Sequence, residues 1–480
     1  MDLDPVKKYR IFLIVCCANL GSFSVGIYVG WTSPVIPKLR ANSADSPLNF
    51  GVSTAQEGWI GALVSIGAFL VKVSKICTSA QEGWIGALVS IGAFLGALTA
   101  GLIASKFGRK FTLLSSSLFF ISSYMCLIIG RSIGVIYVAR ILQGLGGGIV
   151  TTLTPMYIGE IATDDFRGAL GSLILLFMSC GLVFVYSIGP YVSFMTLQWI
   201  CISIPVLFFG TFCFMPETPY YYAMKNRTAD GIRSLRYLRG QNSKTTEITM
   251  EHIQNEVDKS MLNKGSIADI FRNRAYRKAL LIGSGLLIFQ QLSGTKAVLV
   301  NSQSIFTSAN SSLDPAIATI IVGLCQLVSN LLTPYVVERA GRKIVLLISS
   351  CGMCLTLVIL GTFFYIQKHG DVSYILWLPI PTLIGFNLLF GFGFGPIPWA
   401  VLGEMFPSNI KSSATTITCS LTWLTSFAVV RWFPELNALG PYYAFWLFSI
   451  MCGLAFFFVL FVVIETKGIS LQKIQEKLQA

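Results

Sequence analysis

Apolar residues in this 480-residue chain run in blocks of about twenty, set apart by short polar turns. About 20 helical residues, rising 1.5 Å each, cover the roughly 30 Å of a bilayer's hydrocarbon, so each block predicts a membrane-crossing helix. Twelve such windows fall near 11–30, 84–104, 111–130, 133–158, 169–190, 197–215, 277–300, 315–337, 344–366, 376–402, 413–433 and 441–464. The chain reads as an all-α membrane protein. A polar stretch after the sixth window divides it into an N-terminal six-helix bundle (1–215), a linker (216–276), a C-terminal six-helix bundle (277–466) and a tail (467–480).

One apolar stretch lies outside this count. AQEGWIGALVSIGAFL occupies 55–70 and recurs without a change at 80–95. Old structural repeats drift apart and keep only their periodic positions, so an unbroken copy marks a duplicated exon or an error of gene prediction within 54–78. The second copy continues into GALTAGLIASKFGRK and supplies the second window, whereas the first meets Lys72 and Lys75. Its apolar run from Gly58 to Val71, about 21 Å as helix, falls short of a crossing. An interfacial or re-entrant segment is expected there, and deleting 54–78 should leave the fold intact.

Composition agrees with the membrane reading: 54% of residues are hydrophobic, 12% are charged and mean hydropathy is +0.69. The net charge of +13 does not imply nucleic acid, because 26 of 35 Lys and Arg fall on one side once the N-terminus is placed in the cytoplasm. That is positive-inside bias, with both termini cytoplasmic. Most of the twelve cysteines sit in apolar windows and read as small hydrophobes. Cys351 and Cys354 form a lone CxxC inside a window, a packed face rather than a metal or redox site. GLGGG at 144–148 also lies inside a window, where close helix packing explains it better than phosphate binding. No cofactor or metal is expected.

The two halves echo each other. GLIASKFGRK (101–110) follows the second window and PYVVERAGRK (334–343) the eighth; PMYIGEIATDDFRG (155–168) ends the fourth and PWAVLGEMFPSNIK (398–411) the tenth. Arg and Glu at helix ends can pair across the two halves, holding the cytoplasmic side shut until it opens. Arg109, Glu160, Arg167, Glu338, Arg342, Glu404 and Lys411 therefore read as a cytoplasmic gate, with Glu160 matched to Arg167 and Glu404 to Lys411. Snorkelling of basic side chains at the interface is the competing reading.

RILQGLGGG, PMYIGEIA, FRG, PETP, FQQLSG, VVERAGRK, GFGPIPW and ETKG, at their spacing along the chain, resemble the sugar porter family of the major facilitator superfamily. PETPYYYAMKNR and the short tail resemble its insect trehalose-transporter-like branch. The resemblance implies twelve helices in two pseudo-symmetric bundles, a central sugar site and alternating access.

A sugar needs amides that both donate and accept, with aromatic or apolar faces for its C–H surfaces. The seventh window offers Gln290, Gln291 and Lys296, the eighth Gln326, the tenth Trp399 and the eleventh Trp423, which the resemblance gathers at the substrate. Buried glutamines also bond helix to helix, and membrane tryptophans also pack or belt the interface. The glycines and prolines of GFGFGPIPW predict an interrupted tenth helix. Lys296 stands where the family has an amide, Val300 and Asn301 where it has lid tyrosines, Leu175 where it has a glutamine, Gly391 where some relatives carry an acid and Ser105 where an acid is common. A mid-membrane lysine must face a wet cavity, snorkel or lose its proton.

No Asp or Glu lies between Tyr9 and Pro37, where proton-coupled sugar porters carry an acid; the first window has Tyr28 and Val29 there. The expected function is facilitated transport of a neutral sugar, hexose or trehalose, across the plasma membrane, with no catalytic step. A sugar sensor that does not transport, or an organic-anion carrier using Lys296, are the alternatives. Asn310, in Asn-Ser-Ser, is a candidate glycan acceptor, whereas Asn226 should stay unmodified in the cytoplasm.

Overall fold

The structure is a computed structural model that describes residues 5–40, 79–130, 132–162, 167–239, 243–262, 267–310, 313–406, 408–467, 469 and 471–479. The first copy, with the whole of 54–78, lies outside the described residues. Six long helices make the N-terminal half: α1 (Pro5–Arg40), α2 (Ser79–Phe107), α3 (Arg109–Ile129), α4 (Ile133–Ile161), α5 (Arg167–Ile188) and α6 (Phe194–Phe212). The linker holds α7 (Pro219–Met224), α8 (Thr228–Arg239), α9 (Ser243–Leu262) and α10 (Ile267–Arg272). α7, α8 and α9 close around Ala223, Leu235, Met250, Ile253 and Val257, a small core of their own, whereas Ile270 of α10 packs into the C-terminal core.

The C-terminal half follows as α11 (Arg274–Leu292), α12 (Thr295–Ser308), α13 (Pro315–Ala340), α14 (Arg342–His369), α15 (Pro379–Phe392), α16 (Ile397–Met405), α17 (Ser408–Leu439), α18 (Pro441–Phe461) and the tail helix α19 (Leu471–Gln479). Eleven of the described helical stretches are long and apolar enough to cross a membrane. The expected seventh crossing is not among them. It is broken at Ser293–Gly294, where Gly294 takes φ +80°, leaving α11 and the 14-residue α12. The tenth stretch is interrupted as its glycines and prolines predict, between Phe392 and Ile397.

GLGGG does what a membrane glycine run does. A Cβ at Gly144 would stand 2.2 Å from Val89 O and one at Gly148 2.2 Å from Ala93 O; from the other side, Gly92 meets Ile141 O at 2.2 Å and Gly96 meets Leu145 O at 2.3 Å. Four glycines thus let the α2 and α4 backbones touch. This also separates the two copies. Counted from the shared stretch, Val71 is the first copy's counterpart of Gly96 and Lys75 that of the fully buried Ala100. Placed on α2, the first copy would drive a branched side chain into the α4 carbonyl.

Candidate functional site

Each GRK turn is shaped by its glycine. Gly108 (φ +102°) and Gly341 (φ +88°) reverse the chain between α2 and α3 and between α13 and α14, a backbone region costly for other residues. There is no room for a side chain either: a Cβ would stand 2.2 Å from Glu217 Oε2 at the first turn and 2.9 Å from Glu465 Oε2 at the second. Those carboxylates cap the helix that follows. Glu217 accepts from Lys110 N at 2.9 Å, and Glu465 from Arg342 N at 3.1 Å and Lys343 N at 3.0 Å. The arginine of each turn then reaches the end of the fourth helix of its half: Arg109 Nη2 to Glu160 Oε1 at 2.9 Å, Arg342 Nη2 to Glu404 Oε1 at 2.9 Å.

The described ion pairs of the expected gate therefore close within each half. Glu160 and Glu404 bond to arginines 51 and 62 residues upstream, because the turn and the end of the fourth helix share one half. The side chains of Arg167 and Lys411 lie outside the described residues, and Glu338 is exposed. PETP and ETKG, which supply Glu217 and Glu465, entered the sequence reading only as family motifs. Their recurrence directly after the sixth and twelfth windows was the available signal.

Contacts between the halves gather toward the other end. Ser90 and Ser426 share a hydrogen bond of 3.1 Å, Trp84 packs on Phe427 with centroids 5.8 Å apart, and the Arg431 guanidinium lies 4.9 Å over the Trp84 ring. A Cβ at Gly83 would meet Arg431 O at 2.4 Å, so α2 and α17 touch there. Val300 packs with Ala87 and Val430, Tyr186 Oη donates to Leu299 O at 2.5 Å, and Gln303 N donates to Ser33 Oγ at 3.1 Å. Ser90 precedes Phe107 by about 25 Å of helix. The halves are thus sealed far from the GRK turns, partly by Val300, where the resemblance would place a lid tyrosine.

At the two helix breaks the expected amides separate into two roles. Gln290 gives both N–H groups of Nε2 to carbonyls that the α15–α16 interruption frees, Phe394 O at 2.6 Å and Gly395 O at 2.8 Å. Its oxygen accepts from Gln291 Nε2 at 3.1 Å. Gln290 is therefore the tie between two broken helices. Gln291 Oε1 is left buried with no donor among the described residues, and so is Gln326 Oε1 on α13. Both oxygens are ready to accept. Lys296, the second residue of α12, holds its Nζ 3.9 Å from the Trp423 ring centroid. Trp399, in contrast, stands 39% exposed on α16.

A buried cation went unread in the sequence. Arg140 on α4 donates to Ile85 O (2.8 Å), Tyr28 O (3.1 Å), Gln143 Oε1 (2.6 Å) and Thr32 Oγ1 (2.8 Å). A lone basic residue inside an apolar window was the signal, since such residues are expensive in a bilayer.

The profile of the family described as "Sugar (and other) transporter" matches residues 41–478. The chain belongs to the sugar porter family. Among curated relatives it is similar to the facilitated trehalose transporter Tret1 of Apis mellifera ligustica, 34% identical over 99% of this chain and 89% of that one, and to Tret1 of Bombyx mori, 33% identical over 97% and 86%. Among solved structures, the inward-open xylose transporter XylE from E. coli has the same fold, with a TM-score of 0.77 at 24% identity over 97% of this chain and 99% of that one. This sugar porter is a multi-pass membrane transporter with the major facilitator fold, and its work is sugar transport rather than catalysis.

Proposed function

We propose that the chain is a facilitator moving a neutral sugar, hexose or trehalose, down its gradient across the plasma membrane by alternating access. In this reading twelve crossings form two pseudo-symmetric bundles with both termini in the cytoplasm, and the sugar rests between the halves against Gln291, Gln326, Lys296 and Trp423. Gln290 braces the breaks beside it, and Trp399 swings over the site as α16 pivots on its glycines and prolines. The observation that carries the proposal is that two of the buried amide oxygens, Gln291 Oε1 and Gln326 Oε1 on the seventh and eighth crossings, find no donor among the described residues. A sugar hydroxyl supplies one. Trehalose is favoured by the names of the curated relatives.

Transport would follow from the sealing of one end. With the halves joined at the α2–α17 face, substrate exchanges at the GRK end; rocking parts that face and brings the GRK ends together. Arg167, Glu338 and Lys411 are the charges then available between the halves. Uniport is supported by Arg140, whose four hydrogen-bond partners are all neutral, so no carboxylate stands ready to pass a proton. Counterflow in proteoliposomes tests the proposal. Labelled glucose or trehalose should exchange at a rate indifferent to an imposed proton gradient; binding without exchange would indicate a sensor instead.

A further inference from the structure

We propose that the site also takes an acidic sugar such as a hexuronate, whose carboxylate lies against Lys296. The inference rests on the reading of this site as the sugar site, and adds a substrate class to it. Two cations of the apolar windows contrast: Arg140 is fully buried on α4 and Lys296 is half-buried on α12. Arg140 has four oxygen acceptors and, on top of them, the Trp31 ring at 5.1 Å. Lys296 has a ring face alone. An ammonium carries three donors, and a π face attracts the charge without accepting their hydrogen bonds in the manner of an oxygen. Among the described residues no oxygen accepts from Lys296.

Among the described residues no carboxylate pairs with Lys296. The twelve apolar windows contain not one Asp or Glu. Three described carboxylates at the helix ends are committed elsewhere, Glu160 to Arg109, Glu404 to Arg342 and Glu435 to Arg431, and Glu338 is exposed at the GRK end of α13. A positive charge kept at the helix break is then answered from outside the chain.

Two further features point the same way. Lys296 is the second residue of α12, in the first turn of a helix that no side chain caps, so N–H groups not used within the helix lie beside it in sequence. Five residues earlier, across the break, Gln291 presents its buried oxygen, which accepts but cannot balance a charge. The donors and acceptors left over are complementary to a molecule with hydroxyl groups for the two glutamines and an anionic group for the lysine. A neutral sugar uses the first and leaves the second half-answered.

The test uses the full chain in proteoliposomes, comparing counterflow of labelled glucuronate and labelled glucose for wild type, K296N and K296R. Glucuronate should exchange, and the ratio of glucuronate to glucose exchange should fall about tenfold or more in K296N while K296R keeps it within about threefold. A measurement that needs no variant accompanies it: glucuronamide, the neutral isostere, should compete with glucose in wild type at least about tenfold less well than glucuronate. Exchange of glucose but not glucuronate overturns the inference and leaves the sugar site standing. A ratio unmoved in K296N, or equal competition by the amide, overturns it as well. Failure of every sugar to exchange overturns the parent reading with it.

Discussion

The two GRK turns make the same contacts with different burial. In the N-terminal half the Arg109 and Glu160 side chains are 3% and 13% exposed; in the C-terminal half Arg342 and Glu404 are 21% and 31% exposed. The capping carboxylates diverge too. Burial pushes the Glu217 carboxyl up, against the N–H groups of Thr218 and Lys110 and the charge of Arg109. Burial also pulls Glu465 up, but less than the N–H groups of Lys467, Lys343, Arg342 and Thr466 pull it down, so its carboxyl lies below the usual value. A shared motif therefore fixes which groups meet, while the surrounding packing fixes how much each meeting stabilises. The helices behind the turns differ in the same sense. α2 and α4 touch through glycine and backbone carbonyl, whereas Gly391 on α15 faces the Ser329 side chain on α13, with Ser329 Oγ 2.3 Å from where a Cβ would be.

The largest expected effect follows from that last difference. G96V, which installs the residue the first copy carries at this place, should prevent recovery of monodisperse protein, because the α4 backbone cannot move aside; normal size-exclusion behaviour would show that the four-glycine contact is dispensable. Next, R109A strands Glu160 in a nearly buried setting and should lower apparent stability by about 3–5 kcal/mol, against about 1 kcal/mol for R342A in its wetter pair. Equal shifts in thermal unfolding followed by intrinsic fluorescence would erase the contrast between the halves. G391A needs more than a rotamer change: rotating Ser329 clears its Oγ but leaves its Cβ 2.7 Å from where the new methyl would stand, so α13 and α15 must part slightly and a loss of about 1–3 kcal/mol is expected, read as a drop in melting temperature.

Smaller effects belong to the caps, and their sign differs. Because the folded-state value of Glu465 is depressed, its contribution is present above the usual carboxylate range and is lost as pH falls through that folded value. Glu217 is raised, so ionising it above its usual value removes stability. E465Q should therefore destabilise more than E217Q at pH 7, and the gap should narrow toward pH of about 4. A gap independent of pH would show that shape, not charge, sets the difference.

Much of this architecture was legible from residue pattern. Apolar windows located the long helices, GFGFGPIPW its interruption and GLGGG a close helix contact, because each is a local property of spacing and residue type. Partnerships were not. Glu160 has Arg167 seven positions on in sequence, yet its described bond is to Arg109, since the fold brings the α2–α3 turn beneath α4. Gln290 and Gln291 look equivalent as neighbours, and only the freed carbonyls of Phe394 and Gly395 distinguish the brace from the open acceptor. The seal at Trp84, Ser426 and Arg431 was unreadable for the same reason: α2 and α17 meet only after more than three hundred residues of chain have folded between them.

The central claim is that sugar is held by acceptors the protein leaves unpaired. Counterflow of labelled glucose and trehalose by Q291A, set beside wild type at matched thermal stability, tests it most directly. The account predicts exchange slowed about tenfold with the fold intact. Wild-type exchange in Q291A would contradict it.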